Sequence, residues 1–96
     1  MSGRYQITVY CDLPRVMLCW QVLSFLPCNE LGVPTMPKVD RETGQGYIVI
    51  DRYDRSAISN LVHSWLTSLV ALDLATSWSY ERLEVDGDVT MLEIER

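Results

Sequence analysis

Few residues in this 96-residue chain could do covalent or metal chemistry: Cys11, Cys19, Cys28 and the single histidine, His63. A thiol beside an imidazole can act as a nucleophile, but only if the two are held within hydrogen-bond reach and the base is oriented. No spacing in the sequence joins His63 to a cysteine or to Asp54, and His63 falls on the polar side of a helical pattern. It reads as a surface or packing histidine. The gaps Cys-x7-Cys-x8-Cys match no zinc spacing. An odd number of cysteines without paired spacing also argues against a disulfide framework, so the thiols read as structural. The stretch TGQG (43–46) lacks the Lys-Ser/Thr of a phosphate loop and precedes a strand, which makes it a turn. Asp40, Asp51 and Asp54 do not follow a calcium-loop pattern. The sequence therefore predicts no catalytic residue, no cofactor and no metal site.

Charge is the more informative signal. The chain carries 8 Lys and Arg against 13 Asp and Glu, a net charge of −5. Residues 81–96, ERLEVDGDVTMLEIER, hold six of the acids and two arginines, so −4 of the total sits in the last sixteen residues. An acidic surface repels phosphate backbones, which disfavours direct nucleic-acid binding and fits a basic partner. The carboxylates expected to face such a partner are Glu81, Glu84, Asp86, Asp88 and Glu93. The N-terminal MSGRYQITVY does not have the pattern of a secretory signal, and the longest apolar-rich run, 16–26, is too short to span a bilayer. The expectation is a chain of a reducing, cytoplasmic compartment.

The elements that must position these residues follow from periodicity. Residues 4–10, RYQITVY, alternate as a half-buried strand does. Asp12 reads as an N-cap with Pro14 in the first turn of a helix over 13–26. That helix is apolar nearly all round, with Arg15, Gln21 and Ser24 as its polar breaks. In a chain this short, such a helix implies either a covered second side or an exposed apolar patch. Trp20 is the residue on it expected to anchor an interface. The segment 27–46 holds three of the four prolines, and a short strand is expected near 36–41. YIVIDRY (47–53) reads as an interior strand. A helix capped by Asp54 or Ser56 and ending near Leu74 would bury Ile58, Leu61, Val62, Trp65, Leu69 and Leu72. The tail reads as a hairpin turning at Asp86-Gly87. A three-residue loop would set Trp78 opposite Ile94 and Tyr80 opposite Leu92, and would place Glu84 against Asp88 near the tip.

The order strand, helix, strand, strand, helix, strand, strand predicts one α+β domain, 1–96. It would be a two-layer sandwich of ferredoxin-like β-α-β-β-α-β order with an extra C-terminal antiparallel strand. The function expected is a non-enzymatic, acidic protein-binding module. One form is an inhibitor that covers the basic nucleic-acid-binding surface of a partner protein, similar in size and acidity to small phage counter-defence proteins such as anti-CRISPR proteins. A second expectation is a regulatory or assembly domain that forms a homodimer through the apolar helix. A third is a small enzyme built on a cysteine and His63.

Overall fold

A computed structural model describes residues 4–52, 57–83 and 93–95 of the chain. The elements are β1 (Arg4–Cys11), α1 (Leu13–Phe25), α2 (Cys28–Leu31), β2 (Val33–Pro34), β3 (Lys38–Val39), β4 (Gly46–Arg52), α3 (Asn60–Ala71), β5 (Ser77–Leu83) and β6 (Glu93–Glu95). They form an α+β fold with one antiparallel sheet of order β2-β4-β1-β5-β6, in which β3 also pairs with β4.

The central strand is β1, and its alternation is obeyed throughout. Tyr5, Ile7, Val9 and Cys11 are fully buried, while Arg4, Gln6, Thr8 and Tyr10 are half-buried on the other face. Register carries this pattern across the sheet. Ile7 lies between Ile50 and Tyr80, Val9 between Ile48 and Trp78, and Cys11 beside Gly46. Tyr5 and Tyr80 meet edge to face, with ring centroids 6.1 Å apart. α1 and α3 cover this face with Val16, Cys19 and Leu23 from one helix and Val62, Leu66 and Leu69 from the other, in one continuous core. Tyr47 and Val49 of the apolar run in β4 lie on the opposite, half-buried face of the sheet.

The proline-rich segment makes the sheet edge. Its first part forms the single turn α2 rather than coil, and its strand is split in two. From Pro34↔Ile50 to Lys38↔Tyr47 the edge advances four residues while β4 advances three, so the edge carries one extra residue, a bulge. An edge strand tolerates Pro34 and Pro37 because its outer groups need no ladder partner. Gly32, at φ +102, has no room for a side chain, since a Cβ there would sit 2.9 Å from Ile50 Cγ2. Arg52, nearly buried, donates to the carbonyls of Cys28 (3.4 Å) and Asn29 (2.7 Å) and so fastens α2 to β4.

Three local expectations are corrected. First, α3 starts at Asn60, where Ser59 caps it by accepting from the Val62 N–H at 3.2 Å. The proposed caps Asp54 and Ser56 lie outside the described residues, six and four positions before that start. Second, the buried stripe of α3 is Val62, Leu66 and Leu69. Leu61 and Leu72 face solvent, and Leu66, absent from the predicted stripe, is in the core. Apolar residues occupy more than half of this helix's circumference, so periodicity fits two phases and only the sheet selects one. Third, β6 pairs with β5 as Tyr80↔Glu95, Glu81↔Ile94 and Arg82↔Glu93, shifted from the Trp78–Ile94 and Tyr80–Leu92 pairing that hydrophobic matching favoured. The turn at Asp86-Gly87, and Leu92, lie outside the described residues.

Candidate binding surface

α1 is built by its neighbours as much as by its own sequence. Asp12 holds the extended conformation of an N-cap and its carbonyl accepts from Arg15 N–H at 2.9 Å, but its side chain makes no capping bond. The expected Asp12 side-chain cap is therefore not formed. Pro14 sits in the first turn, where a missing N–H leaves nothing unsatisfied. Val16, Cys19 and Leu23, spaced three and four apart, form the buried stripe, with Trp20, Val22 and Leu26 partly buried beside it. Val16 presses on β4 at Gly46, where a Cβ would stand 2.9 Å from Val16 Cγ2. Arg15 reaches the end of α3, donating to the carbonyl and to Oδ2 of Asp73, both at 2.7 Å. Asp73 is left-handed at φ 66, an uncommon state for a non-glycine residue, and sits just past the end of α3.

What remains of α1 faces water and is largely apolar. Phe25 is 88% exposed, Leu18 50%, Met17 49% and Leu13 46%. At 3.6 residues per turn, Leu18 and Phe25 share one azimuth, almost opposite the buried stripe, while Leu13 and Met17 line one flank. Gln21 and Ser24 lie among them, and Ser24 Oγ is turned back to donate to the Trp20 carbonyl at 2.8 Å. The only formal charge on the helix, Arg15, already has an ion-pair partner in Asp73. The result is a neutral, apolar ridge on an acidic protein.

Trp20, the anchor expected from the sequence, is not on that ridge. Its ring packs against the core, and its indole Nε1 is buried without an acceptor. The more exposed side chains, Leu18 and Phe25, were not singled out from the sequence. Their seven-residue spacing was the available signal, hidden because the helix is apolar on nearly every side.

The acidic candidates fall elsewhere. Glu81 lies in β5 opposite Gln6, at a register position on the sheet face away from the helices. Glu93 lies in β6 opposite Arg82. Glu84, Asp86 and Asp88 are outside the described residues. Trp20 in the helix layer and Glu81 on the open sheet face therefore belong to two surfaces.

The chemistry-bearing side chains do not assemble. His63 is exposed on α3 and meets the Trp78 ring edge to face at 5.1 Å. Among the described residues no hydrogen bond joins it to a cysteine or an acid. A shallow pocket of about 380 Å³ adjoins this pair, lined also by Thr67, Val70, Thr76 and Ser77. Thr76 is already engaged there, donating to the Tyr10 carbonyl and accepting from Gln45 Nε2, both at 3.0 Å. Among the described residues no three His, Cys, Asp or Glu side chains gather as a metal site would require, and no helix is long and apolar enough to cross a membrane. The TGQG stretch is the β3–β4 turn, with Gly44 at φ 74 and its N–H donating to the Asp40 carbonyl at 2.7 Å. Asp51 is engaged by Gln6 and Arg4.

Comparison with known proteins gave no match to a protein-family model, to a curated protein or to a solved structure.

Proposed function

We propose that this chain is a non-enzymatic protein-binding module that docks a partner on the outer face of α1. The observation behind the proposal is the ridge of Leu13, Met17, Leu18 and Phe25, exposed on a helix whose one charge is already paired. Exposed apolar patches of roughly a few hundred Å² and more mark interaction sites, and an aromatic at their centre is a common hot spot. A helix laid on a sheet is a rigid mount, so little conformational entropy is lost when a partner covers it. The fold reading that accompanies this is ferredoxin-like. Taking β2 and β3 as one bulged edge strand, the order is edge-β4-β1-β5, with β6 added outside β5.

A second reading is supported by charge. The −4 concentrated in residues 81–96 favours an inhibitor that sets this segment against the basic nucleic-acid-binding surface of a partner protein.

One experiment separates the two. The tagged chain is used to capture partners from lysate beside two variants, Leu18→Glu with Phe25→Glu, and Glu84, Asp86 and Asp88→Lys. Loss of a captured protein in the helix variant alone supports docking on α1, and loss in the acidic variant alone supports the second reading. Equal capture by all three would reject both. Sedimentation velocity of the purified chain adds one distinction: a dimer that becomes a monomer on Leu18→Glu would identify the partner as a second copy, making the protein an assembly domain.

A further inference from the structure

The exposed face of α1 is built to match its own copy. At 3.6 residues per turn, Gln21 stands near the crest of that face, turned away from the buried Val16, Cys19 and Leu23. Leu18 and Phe25 lie on one side of the crest, one turn before Gln21 and one turn after it. Met17 and Ser24 lie on the other side, again one turn before and one after. All five residues are exposed. Each flank is therefore laid out almost evenly about Gln21, with two large apolar side chains on one and a long and a short side chain on the other.

We propose, building on the reading of α1 as the docking face, that the partner is a second copy of this chain, which lays its α1 antiparallel on the first about a two-fold axis at Gln21. Such an axis returns each flank to itself with the chain direction reversed. Leu18 then meets Phe25 of the second copy, and Met17 meets Ser24 of the second copy, each contact occurring twice. The short Ser24 leaves room for Met17, and its hydroxyl already donates to the Trp20 carbonyl, so covering it orphans no donor. On the axis, Gln21 meets Gln21. A carboxamide carries both donor and acceptor, so two copies satisfy each other by reciprocal N–H···O bonds, which a lone carboxylate or ammonium could not do.

Charge and size agree with this arrangement. Two chains of net charge −5 repel, and they approach most easily through a face without an unpaired charge. Arg15 is the charged residue of α1. An antiparallel pair separates the two Arg15 positions by roughly 18 Å along the helices, whereas a parallel pair would set them side by side. Antiparallel helices also oppose their dipoles. Leu13, Met17, Leu18 and Phe25 expose on the order of 400 Å² together, about half of the roughly 800 Å² each partner gives to a standard interface. The dimer is therefore a transient one, with a dissociation constant on the order of 10–100 µM.

The test is sedimentation velocity of the full chain from about 5 to 300 µM, a range that brackets the expected dissociation constant. The wild type should shift from monomer to dimer, and Leu18→Glu with Phe25→Glu should stay monomeric throughout. Gln21→Glu sets two carboxylates on the axis and should raise the dissociation constant at least about tenfold at neutral pH. Direction is read by mild oxidation in a Cys28→Ser background. Gln21→Cys should cross-link to its own copy, while Leu13→Cys, held roughly 24 Å from its copy along an antiparallel pair, should not. Wild type that is monomeric at the highest concentration overturns this inference without touching the docking reading, which falls separately if capture of a foreign protein is unchanged by Leu18→Glu with Phe25→Glu. A dimer that survives those two substitutions, or that cross-links through Leu13→Cys as readily as through Gln21→Cys, also overturns it.

Discussion

The contact that seats α1 on the sheet makes Gly46→Ala the most incisive substitution. A Cβ at Gly46 would lie 2.9 Å from Val16 Cγ2, 3.0 Å from Val16 Cβ and 3.3 Å from the Cys11 carbonyl oxygen. None of these is the free end of a flexible side chain, so the helix itself must shift. Overpacking of this kind costs about 1–3 kcal/mol, offset by about 0.4–1 kcal/mol from the lower entropy of an unfolded chain without that glycine. The expected net loss is therefore about 1–2 kcal/mol, or roughly 4–16 °C in Tm for a domain of this size. Val16→Ala alone removes two buried methyl groups and leaves a hole, at about 2 kcal/mol. Combined, the new methyl occupies the space the old ones left. The double variant should lose only about 2 kcal/mol rather than the sum of about 3–4, a coupling of about 1–2 kcal/mol. Urea unfolding followed by the fluorescence of Trp20, Trp65 and Trp78 measures all four proteins, and equal m-values establish that the unfolded states are comparable. If the double variant equals the sum within about 0.5 kcal/mol, Val16 does not sit on Gly46. The azimuth of α1, and with it the exposed ridge, would then be wrong.

Other outcomes follow from the same contacts. Ser59→Ala should cost about 1 kcal/mol because it removes a formed cap, whereas Asp12→Ala should cost less than about 0.5 kcal/mol because Asp12 makes no capping bond; comparable losses in urea titrations would contradict the assigned helix starts. Leu66→Ala should cost about 2–5 kcal/mol and Leu72→Ala about 0.5 kcal/mol at most, a contrast in thermal unfolding that would reverse if the periodicity-based face of α3 were the buried one. Trp20→Phe removes a buried N–H that has no acceptor, worth about 1–3 kcal/mol, along with part of a ring that packs on the core. Net stability should change by no more than about 1 kcal/mol in either direction, and a loss above about 3 kcal/mol by chemical denaturation would show that the indole has a partner.

Several features were legible in the sequence because their causes are local. The alternation of RYQITVY names the buried face of β1 residue by residue, since successive side chains of a strand must point to opposite sides. Asp12 with Pro14 ahead, and Pro27 behind, bracket α1 to within one residue, since a proline fits the first turn and ends a helix at the other side. The apolar excess of 13–26 also announced that the helix was either covered on both sides within the domain or left with an exposed apolar side. The position of the negative charge at the C-terminus is a property of the sequence alone.

What the sequence left open are choices between arrangements that local rules make nearly equal. Two stripes of α3 are apolar enough to be buried, and the sheet took Val62, Leu66 and Leu69. The face of α1 was set by Val16 dropping onto Gly46, 30 residues away, and by Arg15 reaching Asp73, 58 residues away. Trp20 was thereby turned towards the core and Leu18 and Phe25 away from it. The β5–β6 register departed from the pairing that hydrophobic matching favoured. The sequence by itself determined β1, α1, β4 and the sign of each region's charge, because these depend on neighbours a few residues apart. Only the tertiary structure decided which helix faces meet water and which two of the three cysteines are buried, because those depend on contacts between segments that are distant in the chain.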